Sequence, residues 1–442
     1  GGKLWTPIGY SSTNNFSGTF NFNGKTISNI TVTGAYTKVS NNETGDVVQE
    51  VNTPYMGLFG YLDQTAHITS RDINDSNKKT QGNIGQIGDN SRILGNYYVG
   101  GLVGYAKDAS IENVTNNATI TSSIATKDFE NNKMGCGGVI GTIDNDTKGD
   151  YVFSNLINNG KITTSRNNVG GVVGVILSSN MANTKIQKCS NNGIIETTSD
   201  SIGGIAGRAI GEENSQVTID GQLNKADSPT IVDNTALIIG HKYIGGIAGY
   251  IRDAIVVNST NGGTIIAKDI SGIEEVGEAV GGIAGYIEDS DVCEVINEGA
   301  VGAINENRKQ GGIIGYAKGS GNITNLLNKN KLGVFDDKYI VNKNNNDTSR
   351  FVGYLEVGSQ YKIYTGVDIA SSTEGKNTVI YREGTKKVTA EDLNVDRYGQ
   401  ILINTTYLSN LSNLHTSVTY DGKTYVSYDQ VFDQNLIWEN VT

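Results

Sequence analysis

Proline and cysteine are both scarce in this chain, with 3 of each among 442 residues. So little proline excludes collagen-like and proline-rich disordered segments. The cysteines, Cys136, Cys189 and Cys293, are an odd and scattered set, so they indicate neither a disulfide framework nor a zinc site. We expect all three to be small, buried hydrophobic side chains.

Basic charge and long hydrophobic runs are also lacking. Lysine and arginine number 35 against 46 acidic residues, a net charge of −11, and no basic stripe occurs. This balance argues against nucleic-acid binding. No stretch approaches the ~18 consecutive apolar residues of a transmembrane helix, so we expect no membrane insertion by this segment. The chain begins at Gly1 without an initiator Met, which indicates a processed form or a piece of a longer protein.

Signatures of catalysis are sparse. The three histidines, His67, His241 and His415, lie in different segments, so no Cys–His or Ser–His–Asp arrangement can be placed. Acidic doublets at 212–213, 274–275 and 336–337 have no recurring basic partner. We therefore expect no catalytic, cofactor-binding or metal-binding residues. Calcium held by loop carboxylates stays open, although neither EF-hand nor RTX spacing is present.

Glycine, by contrast, is abundant at 57 residues, and it recurs in a motif of Gly, two hydrophobic residues and Gly. The motif first appears at Gly57-Leu58-Phe59-Gly60, and its ninth, degenerate copy is Phe351-Val352-Gly353. The final glycines of the copies are Gly60, Gly104, Gly141, Gly174, Gly207, Gly249, Gly285, Gly315 and Gly353. Successive numbers differ by 44, 37, 33, 33, 42, 36, 30 and 38. Recurrence at such a period indicates a repeat architecture.

A second motif, centred on asparagine, lies between the glycine motifs. Its central column is Asp89, Asn116, Asn158, Asn191, Asn234, Asn261, Asn297 and Asn328. Four residues later the column is apolar: Ile93, Ile120, Ile162, Ile195, Ile238, Ile265, Val301 and Leu332. Two residues earlier it is Ile87, Val114, Leu156, Cys189, Val232, Ser259, Val295 and Leu326, where only Ser259 departs from an apolar type. Each repeat therefore contains three short predicted strands.

Identical residues that recur once per repeat predict strands that stack in parallel, each on its copy in the next coil. The sequence thus predicts an all-β, right-handed parallel β-helix with three strands per coil and about nine coils; the hand follows from the general crossover rule. Stacked asparagines would bond to one another and to turn backbone. Glycine would allow positive φ and close backbone approach at corners. Two short tyrosine stacks are expected, Tyr61 with Tyr105, and Tyr250, Tyr286, Tyr316 and Tyr354, interrupted by Thr142, Val175 and Arg208.

The Gly-hydrophobic-hydrophobic-Gly signature resembles the GLUG motif. The opening segments, Trp5 to Gly9 and Phe16 to Ile30, resemble the usual start of GLUG arrays, and the resemblance covers residues 1–355. It implies a secreted or surface-anchored bacterial protein, similar to segments of large adhesins and to the non-catalytic part of some secreted immunoglobulin A proteases. The His-Glu-x-x-His motif of those proteases is absent. The resemblance implies no catalytic residues.

We expect two domains, a GLUG-repeat β-helix over 1–355 and a C-terminal cap or small α/β appendage over 356–442. Asp421-Gly422 predicts a hairpin turn, and Thr389 predicts the cap of a short helix over 387–393. Insertions interrupt the repeats at 40–54, 71–82, 121–134, 210–229, 269–278 and 333–349. A β-helix tolerates such loops at its corners, so they are the expected place for specific recognition.

Three functions remain open. The first is a non-enzymatic structural or adhesive segment at the bacterial cell surface that binds a host-cell or matrix glycan or protein through corner loops, or serves other domains of the same chain. The second is a β-helical polysaccharide lyase or glycoside hydrolase, in which clustered acids would carry the chemistry. The third is a non-catalytic targeting domain of a large secreted protease. The sequence favours the first.

Overall fold

A computed structural model gives the fold, which is built from β-strands alone in the part of the chain that it describes. The described residues are 3–41, 45–51, 53–70, 85–122, 133–212, 214–221, 232–234, 236–268, 279–303, 309–328, 332–335, 341–344, 352–356, 359–363, 365–368, 377–381, 401–403, 416–420 and 423–427. No helix there is long and apolar enough to cross a membrane. Two compact units divide the chain, Gly1–Ser199 with Gly204–Val217, and Asp200–Gly203 with Thr218–Thr442.

Each unit contains a stack of coils whose strands pair in parallel with their copies in the next coil, which is the predicted parallel β-helix. A coil contributes to four ladders of strands, here numbered one to four in chain order. The sequence predicted three strands per coil. The fourth strand arises at the glycine motif. There the backbone bends at Gly101-Leu102 and separates the short strand Tyr98–Gly100 from Val103–Lys107. The handedness remains a prediction.

The strands of the first unit follow the four ladders. Ladder one contains Tyr55–Met56, Tyr98–Gly100, Cys136–Gly137 and Val169–Gly170. Ladder two contains Phe59–Leu62, Val103–Lys107, Ile140–Asn145, Val173–Ser178 and Ala206–Gly211. Ladder three contains Thr19–Asn21, Thr26–Ile27, His67–Thr69, Gly85–Ile87, Ser110–Asn116, Gly149–Asn158, Ala182–Gln187 and Ser190–Asn191. Ladder four contains Lys3–Leu4, Ile30–Val32, Arg92–Gly95, Thr119–Ser122, Ile162–Thr164 and Ile195–Thr197.

The second unit repeats this arrangement. Its ladder one contains Asp200–Gly203, Lys242–Gly245, Ala279–Gly281 and Lys309–Gly311. Ladder two contains Ala248–Arg252, Ala284–Glu288, Ile314–Lys318 and Val352–Leu355. Ladder three contains Val232–Asn234, Ala254–Val257, Ser259–Asn261, Asp291–Asn297, Ser320–Asn328, Gln360–Ile363 and Thr365–Asp368, and ladder four contains Ile238–Gly240, Ile265–Ala267, Val301–Ala303 and Leu332–Phe335. The division between the units falls within the strand Gln216–Asp220, between Val217 and Thr218.

The interior of each unit is filled by the apolar columns that the sequence predicted. In ladder four, Ile93 pairs with Ile120, which pairs with Ile162, and all three side chains are fully buried. Burying such β-branched surface contributes roughly 25 cal/mol per Å². Ser259 also points inward, where its hydroxyl donates to the Val257 carbonyl at 2.9 Å. The one polar member of the apolar column is thus satisfied by backbone.

The register of the first full coil corrects the predicted asparagine column. Ile87 pairs with Asn116, whereas the sequence had aligned Asp89 with that residue. Asp89 is exposed and lies in the turn before Arg92–Gly95. Ile93 still pairs with Ile120, so this corner is two residues longer than that of the next coil. A shift of two residues keeps alternate side chains on the same face, so the core is unaffected.

The parallel ladders of the second unit end in antiparallel pairs. Ladder three continues past residue 355 with Gln360–Ile363 and Thr365–Asp368, and the antiparallel strands Asn377–Tyr381 and Ile401–Ile403 then add to it. Ladder four ends with the antiparallel strand Val341–Asn344. Such pairing covers backbone groups that an open edge would expose. The domain boundary at residue 355 remains a prediction.

Two hairpins complete the described strands. Thr416–Tyr420 and Lys423–Ser427 pair antiparallel with Tyr420 opposite Lys423, while the turn predicted at Asp421-Gly422 lies outside the described residues. The insertion at 40–54 contributes to a hairpin of Ala35–Asn41 and Gly45–Val51. The other insertions lie wholly or partly outside the described residues, as does the helix predicted over 387–393.

Candidate functional site

The recurring asparagines stack where ladder three turns toward ladder four. The side chains described as fully buried are those of Asn116, Asn158, Asn191, Asn261, Asn297 and Asn328. Asn116 Nδ2 donates to Asn158 Oδ1 at 2.9 Å, and Asn158 Nδ2 donates to Asn191 Oδ1 at 2.8 Å. In the second unit, Asn261 donates to Asn297 and Asn297 to Asn328, both at 2.8 Å. The predicted asparagine ladder is therefore present in each unit.

Five of these asparagines also bind the backbone of their own turns: Asn116, Asn158, Asn191, Asn261 and Asn297. Asn158 Nδ2 donates to the Gly160 carbonyl at 3.0 Å, and the Gly160 amide donates to Asn158 Oδ1 at 3.2 Å. One side-chain amide thus uses both of its N–H groups and accepts two hydrogen bonds. An aspartate at this position would lack the donors, and an apolar residue would leave the turn backbone unpaired.

In six copies of the motif, the first glycine packs directly on an asparagine of this ladder. A Cβ at Gly138 would lie 2.3 Å from Asn158 Cγ, and one at Gly171 would lie 2.3 Å from Asn191 Cγ. The same contact with Cγ, at 2.3 to 2.5 Å, joins Gly101 to Asn116, Gly246 to Asn261, Gly282 to Asn297 and Gly312 to Asn328. The two sequence motifs therefore recur together because each occupies space that the other leaves.

A comparison with family models finds a match in a coil that contains both the glycine motif and the asparagine motif. Residues 95–121 match the GLUG motif. The matched stretch runs from the end of Arg92–Gly95 to Thr119–Ser122, so it is one coil that contains both Gly101 and Asn116. The chain is a β-helical repeat protein that carries the GLUG motif. No curated protein matches the chain, and no solved structure matches it.

The final glycine of the GLUG motif also lies very close to another segment of backbone. A Cβ at Gly104 would lie 2.6 Å from the Met56 nitrogen, and a Cβ at Gly174 would lie 2.4 Å from the Cys136 nitrogen. Comparable contacts with backbone atoms, at 2.3 to 2.7 Å, surround Gly60, Gly141, Gly207, Gly285, Gly315 and Gly353. None of these eight has a positive φ, so close approach and not backbone conformation requires glycine here.

Two predicted repeat residues are described only by their place in the ladders. Asn234 pairs with Asn261 in register, as the alignment of the column predicted. Gly249 lies in Ala248–Arg252, and its carbonyl oxygen is 2.7 Å from where a Gly285 Cβ would be. Positive φ values occur instead at residues such as Asn113 and Asn155 within ladder three, at 60° and 52°.

Ladder two carries the tyrosine column on its outer side, and this surface is the candidate functional site. In the second unit the rings of Tyr250 and Tyr286 stack at 5.0 Å with planes 12° apart, and those of Tyr286 and Tyr316 at 4.9 Å and 14°. Tyr354 continues the column at 5.0 Å with a tilt of 43°. We call these four residues the tyrosine ladder. In the first unit Tyr61 and Tyr105 stack at 4.9 Å, so both predicted stacks are present.

The phenol hydroxyls donate hydrogen bonds to carboxylates of the next coil. Each carboxylate lies two residues after the tyrosine that pairs with the donor. Tyr250 donates to Glu288 at 2.6 Å, and Tyr316 donates to Glu356 at 2.8 Å. Burial raises the pKa of Glu288, but hydrogen bonds from Tyr250 and Lys318 outweigh it and leave that pKa below its ordinary value. Burial, and then Glu356, raise the pKa of Tyr316. These pKa shifts favour a neutral phenol at Tyr316 and an ionised carboxylate at Glu288.

A cation covers the far end of the tyrosine ladder. Lys309 Nζ lies 4.3 Å from the ring centroid of Tyr316 and 4.5 Å from that of Tyr354. Lys318 pairs with Glu288 at 3.2 Å along the same face. The surface therefore combines stacked aromatic rings with alternating charges.

Sequence reasoning missed the tyrosines of ladder one that extend this surface. Tyr55 and Tyr98 stack at 5.1 Å in the first unit, and Tyr55 contacts Tyr61 edge to face. Tyr243 contacts Tyr286 in the second unit at 5.0 Å. Tyr98 and Tyr243 each lie three residues before the first glycine of a GLUG motif, and that constant offset could have revealed them.

The other candidate residues do not come together in the described part of the chain. His67 contacts Glu112 at 3.2 Å and His241 contacts Asp200 at 3.0 Å, in different units, while His415 lies outside the described residues. No group of three or more metal-ligating side chains occurs among the described residues. Of the acidic doublets, only Glu212 is described, and it is exposed.

The cysteines are free thiols, as expected, but only two are fully buried. Cys136 and Cys189 have no exposed surface, and burial raises the pKa of each thiol to about 12. Cys293 is partly exposed, which corrects the prediction that all three are core residues. It alternates with the buried Val292 and faces the outer side of ladder three.

Proposed function

We propose that this chain is a non-enzymatic structural and adhesive segment of a bacterial surface protein, which binds a host-cell or matrix glycan or protein. The supporting observation is the separation of roles within each coil. Glycine and asparagine recur inside, whereas the exposed position of Leu94 is taken by Thr121, Thr163 and Glu196 in the next three coils. Outer residues can therefore vary without disturbing the buried ladder.

The charge and the cysteines of the chain also support an extracellular location. The chain is acidic, and its described cysteines form no disulfide, so the repeated core is the source of its stability. Regular coils with variable outer faces suit a segment that displays binding loops or positions other domains of the same chain. The GLUG motif supports a β-helical repeat, and the adhesive role is the step that we add to it.

The experiment displays residues 1–442 on a non-adherent bacterial cell through an unrelated anchor. Attachment is measured to glycan arrays and to immobilised matrix proteins, beside cells that display an unrelated β-helix of similar length. We expect attachment to one class of ligand that soluble chain competes away. Equal attachment by both cell types would remove the adhesive role and leave a spacer. Release of sugar products from an array polysaccharide would instead favour a carbohydrate-active enzyme.

A further inference from the structure

The tyrosine ladder of the second unit has the geometry of a covalent cross-linking site. Tyr250, Tyr286 and Tyr316 come from successive coils, and their rings are nearly parallel at centroid distances of 5.0 and 4.9 Å. All three side chains are partly exposed, so a diffusible oxidant can reach them. Their strands are fixed in register, since Tyr250 pairs with Tyr286 and Tyr286 with Tyr316. We propose that one-electron oxidation joins neighbouring rings of this ladder as dityrosine, a covalent link between successive coils.

The chemistry requires a peroxide and a haem peroxidase as the co-reactants. Each phenol gives one electron to the oxidant and its hydroxyl proton to an acceptor, which leaves a phenoxyl radical with spin on the ortho carbons. Two neighbouring radicals then form one bond between ortho carbons, and each ortho hydrogen moves to its phenol oxygen as the ring becomes aromatic again. The two phenols lose two hydrogens in total, and one hydrogen peroxide becomes two waters.

The ladder supplies the proton acceptor that this step needs. Tyr250 already donates its phenol proton to Glu288 at 2.6 Å, so loss of an electron can be accompanied by transfer of that proton along an existing hydrogen bond. Glu288 is available for this because hydrogen bonds from Tyr250 and Lys318 favour its ionised form. Oxidation of Tyr250 therefore needs no rearrangement of the site.

The charges on the face select one pair of rings. Lys309 lies over Tyr316 and Tyr354, at 4.3 and 4.5 Å from their centroids, and a cation over a ring opposes removal of an electron from it. Tyr250 donates a hydrogen bond to Glu288, whose carboxylate favours loss of the phenol proton. The link between Tyr250 and Tyr286 is therefore the expected main product, with the link between Tyr286 and Tyr316 second.

Fixed register raises the effective concentration of one ring beside the other. In the folded chain the two radicals are held at contact distance by paired strands, whereas in an unfolded chain they are separated by 36 residues, the difference between 250 and 286. We expect unfolding in urea to lower the yield of this link at least about tenfold. Holding two reactants in position raises their effective concentration by far more than that factor.

The test treats the purified 442-residue chain with hydrogen peroxide and a haem peroxidase and isolates the monomer. Protease digestion and mass spectrometry then quantify cross-linked peptide pairs. We expect the peptide of Tyr250 joined to that of Tyr286 to be the most abundant pair. Tyr286→Phe keeps the ring and the stack but removes the phenol, so it should eliminate both links of Tyr286.

Tyr151→Phe is the matched control, since no aromatic contact to Tyr151 occurs among the described residues and its hydroxyl donates to the Thr147 carbonyl. This variant should leave the link between Tyr250 and Tyr286 unchanged. A product mixture in which Tyr250 couples no more often to Tyr286 than to Tyr151 or to other molecules would overturn the proposal. Equal yields in buffer and in urea would overturn it as well.

Discussion

Replacing Asn158 with alanine removes four hydrogen bonds from a fully buried corner. The side chain donates to Asn191 and to the Gly160 carbonyl, and accepts from Asn116 and from the Gly160 amide. A buried group left unpaired costs about 1–3 kcal/mol, and the Gly160 peptide loses the partner of both its donor and its acceptor. We expect Asn158→Ala to lower the free energy of unfolding by about 2–6 kcal/mol, which is the cost of leaving the Gly160 amide and carbonyl unpaired.

The neighbouring Asn159 provides a matched control. Its side chain also forms a ladder, accepting from Asn192 at 2.9 Å and donating to Asn117 at 2.8 Å, but it is exposed. Water replaces those bonds, so Asn159→Ala should cost less than ~1 kcal/mol. Urea unfolding followed by circular dichroism measures both, and hydrogen exchange around Gly160 reports whether the loss is local, because repeat proteins need not unfold in two states. Equal losses in the two variants would refute the reasoning.

Three further predictions concern the glycines, the tyrosine face and the thiols. Gly138→Ala should lower the melting temperature, because its Cβ would lie 2.0 Å from the Gly171 oxygen, whereas Gly149→Ala, whose Cβ meets only the Tyr151 ring at 3.5 Å, should leave it nearly unchanged. The pKa of Glu288 lies below its ordinary value of 4.5, so its contribution to stability is present above that pH and is lost as the pH falls below it. Tyr250→Phe should move that pKa upward in an NMR titration, and an unchanged titration would contradict the hydrogen-bond assignment. A thiol reagent should label Cys293 in the folded chain before Cys136 or Cys189, and uniform labelling would contradict their burial.

The parallel stack was predictable because the same side chains recur at the same offset. Asn116 and Asn158 carry complementary amide groups, and such a group is satisfied in the interior only when another lies beside it. The repeated Ile120 and Ile162 positions carry the same information for the apolar core. The sequence therefore determines register wherever the offset between the motifs is constant.

The features that sequence reasoning missed depend on local geometry that identity alone does not encode. Asp89 resembles a member of the asparagine column, but two extra residues in its corner place Ile87 opposite Asn116. The fourth ladder results from a backbone bend within the glycine motif, which a reading of apolar segments merges into one strand. The acceptors of the tyrosine hydroxyls, such as Glu288, become neighbours only once adjacent strands are in register.

Parallel, in-register stacking of successive coils is tested most directly by disulfide formation between the exposed asparagine positions. Neighbouring parallel strands lie ~4.8 Å apart, which a disulfide can bridge, whereas positions two coils apart lie at ~9.6 Å, beyond the ~7 Å limit for bridged Cα atoms. Asn159→Cys combined with Asn192→Cys should therefore form a disulfide readily under mild oxidation. Asn117→Cys combined with Asn192→Cys should not. A bridge that forms equally well in the second pair, or fails to form in the first, would contradict the stacked register.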